Sequence, residues 1–313
     1  LIPLIPMKAL PAAMPAVFVL IWSTGFVVAR FGMPHAPPFT FLSWRYALSI
    51  AVFLLWVRWA RAAWPATRSQ WGHLAVTGLC MHAGYLGGVW WAVKHGMGAG
   101  TVSLIVGLQP VLTALWVASA GWGRPAASGS AAAAGPAAVT PRQWAGLALG
   151  LAGLLLVVGR KLGLGEVTAW NLAAALAALL AITAGTLYQK RHVAPCDVRT
   201  AGVVQLSAAL AASLPLAWLE PGQMSLHPEL LGAMAWSVGV LTLGGSSLLY
   251  LLVQRGAATR VSSLMYLVPP CTAVLAWWLF DEALTPSVLA GLALTALGVW
   301  LVVRAPAAEK TGL

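Results

Sequence analysis

The sequence predicts an all-α integral membrane protein whose ten transmembrane helices form two inverted five-helix repeats. Three observations carry this expectation. The 313 residues are 60% hydrophobic and only 8% charged, against roughly 25% charged in soluble domains. Apolar runs of about 20 residues, the length that crosses a hydrocarbon core of about 30 Å, recur along the whole chain. And one helix is written twice: TPRQWAGLALGLAGLLLVV, Thr140 to Val158, returns 145 positions later as TPSVLAGLALTALGVWLVV, Thr285 to Val303, with 11 of 19 ungapped positions identical. Shared Ala, Gly and Leu are cheap between apolar helices. A shared Thr-Pro start is not, because Pro is favoured only in the first turn of a helix.

The apolar runs place spans at residues 12–30, 39–57, 74–92, 99–119, 143–159, 169–189, 200–219, 230–253, 260–280 and 286–303. Most connections are short, as between antiparallel neighbours. The exception is GRPAASGSAAAAGPAAVTP, residues 123–141, whose composition reads as a flexible linker. Since span 5 matches span 10, the unit is five helices. The first repeat covers residues 12–159, with 123–141 as an insertion, and the second covers 169–303. Spans 4 and 9 agree: VSLIVGLQPVLTAL from Val102 and VSSLMYLVPPCTAV from Val261 set Pro110 opposite Pro269, 159 positions on. An odd number of helices turns the second copy upside down, the arrangement of many secondary transporters. The first apolar run is long enough to be a span and lacks a small-residue cleavage site, so no cleavable leader is expected.

Charge gives the orientation. With the N-terminus on the cytoplasmic side, 13 of the 18 Lys and Arg residues fall inside, Arg30, Lys94, Arg160 and Lys161 fall outside, and Arg45 lies within span 2. The positive-inside rule then puts both termini in the cytoplasm of a multi-pass protein of the cell (inner) membrane. The net charge of +11 needs no nucleic acid; it faces an anionic leaflet. Cys80, Cys196 and Cys271 have no CxxC spacing and no clustered His, so neither a metal site nor a disulfide framework is expected. No cofactor is expected either.

These residues resemble the EamA-type transporters of the drug/metabolite transporter superfamily. The likeness is carried by FVLIWSTGFVVARFG in span 1, LSWRYALS in span 2, the Pro-centred spans 4 and 9, and VPPCTAVLAWWLFDEALTPSVLAGLALTALGVWL at the end. It runs from about Ala16 to Val303. The resemblance implies a ten-helix transporter of small metabolites, often an exporter of amino acids or related compounds. In the first repeat the position matching Glu282 is Gly123, so an acidic loop residue is not expected in both halves.

Several residues are candidates for the site. Pro110, Pro269 and Pro270 fall near the middle of their spans. A mid-helix Pro removes a backbone hydrogen bond, which frees the carbonyls of Val106, Met265 and Tyr266, and such breaks at matching places point to a binding site or gate. Arg45 is the one charge well inside a span; it suits either backbone carbonyls or a substrate carboxylate. His82 and Tyr85, three apart, share a helix face. With Trp22, Ser23, Thr24, Gln109, Ser246, Ser263 and Tyr266 they supply the polar and aromatic groups of a pocket, or else interhelical hydrogen bonds. His82 is also a candidate proton switch. Most tryptophans, such as Trp56, Trp59, Trp64, Trp71 and Trp144, sit near span ends as interface belts.

The leading expectation is alternating access to a midplane cavity between the repeats, serving a small-molecule substrate such as an amino acid. The alternative is proton-coupled efflux of drugs or other metabolites. A membrane-embedded enzyme is disfavoured because HExxH and GxSxG are absent, and no GxxxxGK[ST] loop is present to use ATP. Substrate, direction, coupling ion and oligomeric state are not written in the sequence.

Overall fold

The computed structural model describes residues 10–119, 141–245, 248 and 265–303. Among these there are ten helical spans and no strand. They are α1 (Leu10–Gly32), α2 (Pro38–Ala60), α3 (68–94), α4 (99–119), α5 (Pro141–Gly163), α6 (Ala169–His192), α7 (Val198–Leu219), α8 (Pro228–Gly244), α9 (Met265–Phe280) and α10 (Pro286–Val303). By length and composition α2, α4, α5, α6 and α7 are each apolar enough to cross a membrane, and α1, α8, α9 and α10 contribute shorter apolar helices. The polar, largely exposed first turns of α3 explain why its apolar part begins later than the helix itself. Residues 123–140 of the expected linker, and 246–253 and 260–264 of expected spans 8 and 9, lie outside the described residues apart from 248.

Local chemistry sets many of the ends. Thr168 caps α6 reciprocally with Asn171, and Thr285 caps α10 just before Pro286, so Thr-Pro is a cap followed by a residue that needs no N–H. Asp197 caps α7 through the Arg199 N–H at 2.9 Å. The Arg199 side chain, hydrogen-bonded to it, holds the Asp197 carboxyl below its ordinary range, which keeps the cap charged.

The packing obeys an inverted two-fold. The pairs α2–α7, α4–α9 and α5–α10 each match a helix to its own counterpart. Off the axis, α3 packs on α6 as α8 packs on α1, and α1 packs on α9 as α6 packs on α4. The irregularities repeat as well. The middle of α3 is a π-helix, Leu79–Gly84, and the second half of α8 is another, Ser237–Gly244. In α4 the helix stops at Val106 and restarts at Gln109, while α9 enters through a 3₁₀ turn, Met265–Leu267, before Val268. Pro110 and the pair Pro269-Pro270 therefore stand in the first turns of α-helical stretches, one restarted at Gln109 and one following a 3₁₀ turn, where a missing N–H costs nothing. The two breaks touch: a Cβ on Gly107 would lie 2.6 Å from Pro269 Cγ.

The α5–α10 pair, the doubled helix of the sequence, packs backbone to backbone. A Cβ built on Gly146 or Gly298 would lie 2.6 or 2.5 Å from the other's carbonyl oxygen, and one on Gly153 or Gly291 would lie 2.5 or 2.7 Å from its partner's. In lipid, where apolar side chains gain little by leaving the solvent, such close approach is what binds helices. The outer surface is correspondingly apolar, with Leu55, Trp59, Trp170, Trp218 and Trp278 exposed. Gly153→Leu is expected to destabilise the purified protein by at least about 1–3 kcal/mol, the usual cost of overpacking, read as a fall in unfolding temperature in detergent. Gly159→Leu, on the same helix with nothing within 4 Å, should leave it unchanged.

Candidate transport site

Two consecutive residues of α2 reach the two π segments. Tyr46, fully buried, donates its hydroxyl to the His82 carbonyl in α3 at 2.9 Å. Arg45, 7% exposed, donates from Nη2 to Thr242 Oγ1 in α8 at 3.3 Å, and Thr242 in turn donates to the Ser237 carbonyl at 2.8 Å. A π segment shifts its hydrogen bonds by one residue and commonly marks a functional position in a helix. Here one π segment from each repeat converges on α2. His82 lies within reach of Gln205 on α7, and Tyr85 within reach of Trp22 on α1. Among the described residues every Asp and Glu lies at a helix end or in a connection, and the ion pairs formed there leave Arg45 out.

Arg45, His82, Tyr85 and Trp22 are thus brought together from three helices. The others are placed elsewhere. Ser23 is completely buried between α1 and α9; its hydroxyl bonds the Val19 and Val268 carbonyls at 2.8 and 3.4 Å, and its carbonyl accepts from Thr272. Thr24 accepts from Trp236 Nε1 at 2.9 Å and so ties α1 to α8. Gln109 donates to Thr186 on α6 at 3.0 Å, beside the break in α4. Tyr266 packs with Val111, Val299 and Val302 in an apolar cluster. Ser246 and Ser263 lie outside the described residues. The sequence reading passed over Tyr46, Gln205 and Thr242, although Tyr46 lies in LSWRYALS, one of the stretches that carry the family resemblance.

A second constellation closes one face of the bundle. The N-cap of α2 is Pro37 and that of α4 is Gly98, and neither has a side chain that can cap. Glu220, beyond the end of α7, accepts from the Phe39 and Thr40 N–H groups at 2.9 Å each and from the Thr40 hydroxyl at 3.2 Å. Glu282, beyond the end of α9, accepts from Ala99 N–H at 2.9 Å and Gly100 N–H at 3.3 Å. Glu166, in the connection between the repeats, accepts from Gly98 N–H and the Thr101 hydroxyl at 3.0 Å and pairs with Lys161 at 2.7 Å. A carboxylate at a helix N-terminus also meets the positive end of the helix dipole. Glu166, Glu220, Glu229, Asp281 and Glu282 all belong to this acidic face; on the opposite, basic face the described acidic residue is Asp197.

A model of the EamA-like transporter family matches residues 11–120 and again 169–304. The chain belongs to the EamA-like transporter family. It is 23% identical over 91% of its length to an uncharacterised transporter of Archaeoglobus fulgidus, covering 94% of that protein. It is 25% identical over 90% of its length to a probable amino-acid metabolite efflux pump of Salmonella typhimurium, covering 91% of it. A crystal structure shares the fold with a TM-score of 0.63 at 19% identity, over 93% of this chain and 96% of that one.

The transporter's two halves share helices but not caps. Arg61 and Glu220 occupy the same C-cap position on the symmetry-related α2 and α7, and Gly123 stands in sequence where the second repeat has Glu282. Cross-repeat carboxylate capping is therefore built for the acidic face. Hydrogen bonds to a charged group contribute about 1.5–3 kcal/mol. Glu282→Ala is expected to lower the stability of the purified transporter by roughly that amount, measured by thermal unfolding, with Glu282→Gln losing less.

Proposed function

We propose that this EamA-family transporter carries small amino-acid-like metabolites by alternating access between its repeats, and that Arg45 meets the substrate carboxylate. The observation that carries the reading is the buried guanidinium whose hydrogen-bond partner among the described residues is a neutral hydroxyl. An intramembrane charge without a counter-ion is costly and marks a substrate path. The planar fork of Arg fits a carboxylate through two parallel bonds. Trp22, Tyr85, His82 and Gln205 supply aromatic and amide walls for the rest of the ligand. The relation to an efflux pump described as acting on amino-acid metabolites supports the substrate class and the outward direction.

In this reading the carboxylates of Glu220 and Glu282 form the gate of the acidic face. They join the second repeat to the first, and opening that face exchanges their protein hydrogen bonds for water. The basic face is placed in the cytoplasm, as the distribution of Lys and Arg supports, so the acidic face is external. The transporter works as a facilitator or exchanger, with no carboxylate proton relay in the span interior.

The test is counterflow in proteoliposomes loaded with unlabelled amino acids and followed with labelled ones, with and without a proton ionophore. Uptake that persists with the ionophore is expected. Arg45→Lys should raise the apparent KM at least about tenfold, the equivalent of 1.4 kcal/mol, while Thr242→Val, which removes the protein partner of Arg45 and also the donor to the Ser237 carbonyl, should lower stability and keep the KM of the folded protein. Folded protein that moves no amino acid, or Arg45→Lys with unchanged kinetics, overturns the substrate assignment. Orientation is checked in cells by labelling single cysteines at Ser225 and Ser69 with an impermeant maleimide: Ser225 is expected to react from outside and Ser69 only after permeabilisation.

A further inference from the structure

His35, His227 and Glu229 stand together on the acidic face, with a nitrogen of each imidazole and a carboxylate oxygen all within 4.8 Å of one another. His35 Nε2 is 2.8 Å from Glu229 Oε2, His227 Nδ1 is 3.9 Å from the same oxygen, and the two rings stack with centroids 4.1 Å apart. From these observations we propose that the three side chains form a binding site for a divalent transition-metal ion of the zinc type, bridging the two repeats at the mouth of the acidic face.

The chemistry of the set favours that class. Two imidazoles and one carboxylate, with a position left for water, make a common zinc ligand set, and imidazole selects against Mg²⁺ and Ca²⁺, which take oxygen ligands. Ligand atoms around a tetrahedral zinc stand about 3.3 Å apart, from metal–ligand distances of about 2.0–2.2 Å. The His35–Glu229 pair is already inside that spacing; the His227–Glu229 pair must close by about 0.6 Å, and the His227 ring must turn out of its stack on His35, because two parallel imidazoles cannot aim their ring nitrogens at one ion. The side chains of His227 and Glu229 are 48% and 51% exposed and free to do so, whereas that of His35, at 19%, is held.

The backbone presents all three. His35 sits in the tight connection from α1 to α2, its carbonyl accepting from Ser225 N–H at 2.9 Å and the Ser225 hydroxyl at 3.3 Å. His227 is the N-cap of α8 and its Nδ1 accepts from Glu229 N–H at 3.3 Å; Pro228 fixes the first turn between them. A metal taking this nitrogen displaces a long hydrogen bond. Because His35 belongs to the first repeat and the other two to the second, a bound ion adds a cross-repeat link beside the Glu220 cap. Metal binding stands independently of the transport reading; the effect on transport rests on it.

The experiment titrates ZnCl₂ into purified transporter carrying no polyhistidine tag, by calorimetry, with MgCl₂ in parallel. One equivalent of Zn²⁺ is expected to bind and to raise the unfolding temperature, with no response to Mg²⁺. His35→Ala and Glu229→Gln, each shown to unfold at the wild-type temperature without metal, should weaken binding at least tenfold. His73→Ala should keep it, since His73 and His192 stack 5.2 Å apart as a second histidine pair. No saturable Zn²⁺ binding, or binding unchanged in both His35→Ala and Glu229→Gln, overturns the proposal. In proteoliposomes, external Zn²⁺ should slow counterflow in wild type and not in His35→Ala. Binding without slowing would keep the site and remove its link to the gate.

Discussion

In hydrocarbon, each backbone N–H or C=O left without a partner costs several kcal/mol, and this constraint organises the fold wherever a helix is interrupted. The π segment of α3 has its His82 carbonyl taken by the Tyr46 hydroxyl. That of α8 has its Ser237 carbonyl taken by Thr242, whose oxygen then receives Arg45. At the proline-led start of α9, Ser23 reaches the Val268 carbonyl. Helices that begin with Pro37 or Gly98 cannot cap themselves, so carboxylates about 180 positions away do it. These irregular stretches of backbone are thus tolerated because a side chain attends each of them, from another helix at His82 and Val268 and from α8 itself at Ser237.

The same accounting separates what the repeats share from what they do not. Helix packing follows the inverted two-fold closely, because it depends on small residues and shape that both copies retain. Capping does not, because a single substitution at a helix end changes its charge: Arg61 against Glu220, or Gly123 against Glu282. In the proposed alternating-access reading, symmetry supplies two access paths of similar geometry, while the ends make closing one face chemically unlike closing the other.

Much of the architecture was legible in the sequence, since apolar length and the doubled Thr-Pro helix each report a property that survives without neighbours. Arg45 was legible for the same reason: a lone cation among apolar residues stands out. The π segments were not, because LCMHAG and SVGVLTLG are compositionally ordinary helix, and the widening comes from what packs on them. His82 and Tyr85, paired in the sequence by α-helical spacing, both stand near Arg45 although the stretch is π through Gly84. Tyr46 read as one more aromatic residue, and Glu220, Glu229 and His35 as loop residues, because their roles are set by partners in the other repeat. The proline positions were visible, but not that each stands in the first turn of an α-helical stretch.

The capping of α2 and α4 by residues of the second half also bears on how the chain is made. When the chain has been made only as far as Glu166, that residue can serve Gly98, but the N–H groups of Phe39, Thr40, Ala99 and Gly100 still await carboxylates that are unsynthesised. Glu220 arrives after the seventh span and Glu282 after the ninth. The first repeat is thus a provisional assembly that settles only when the second is inserted, and a chain truncated between them would carry its five helices without the groups that finish them.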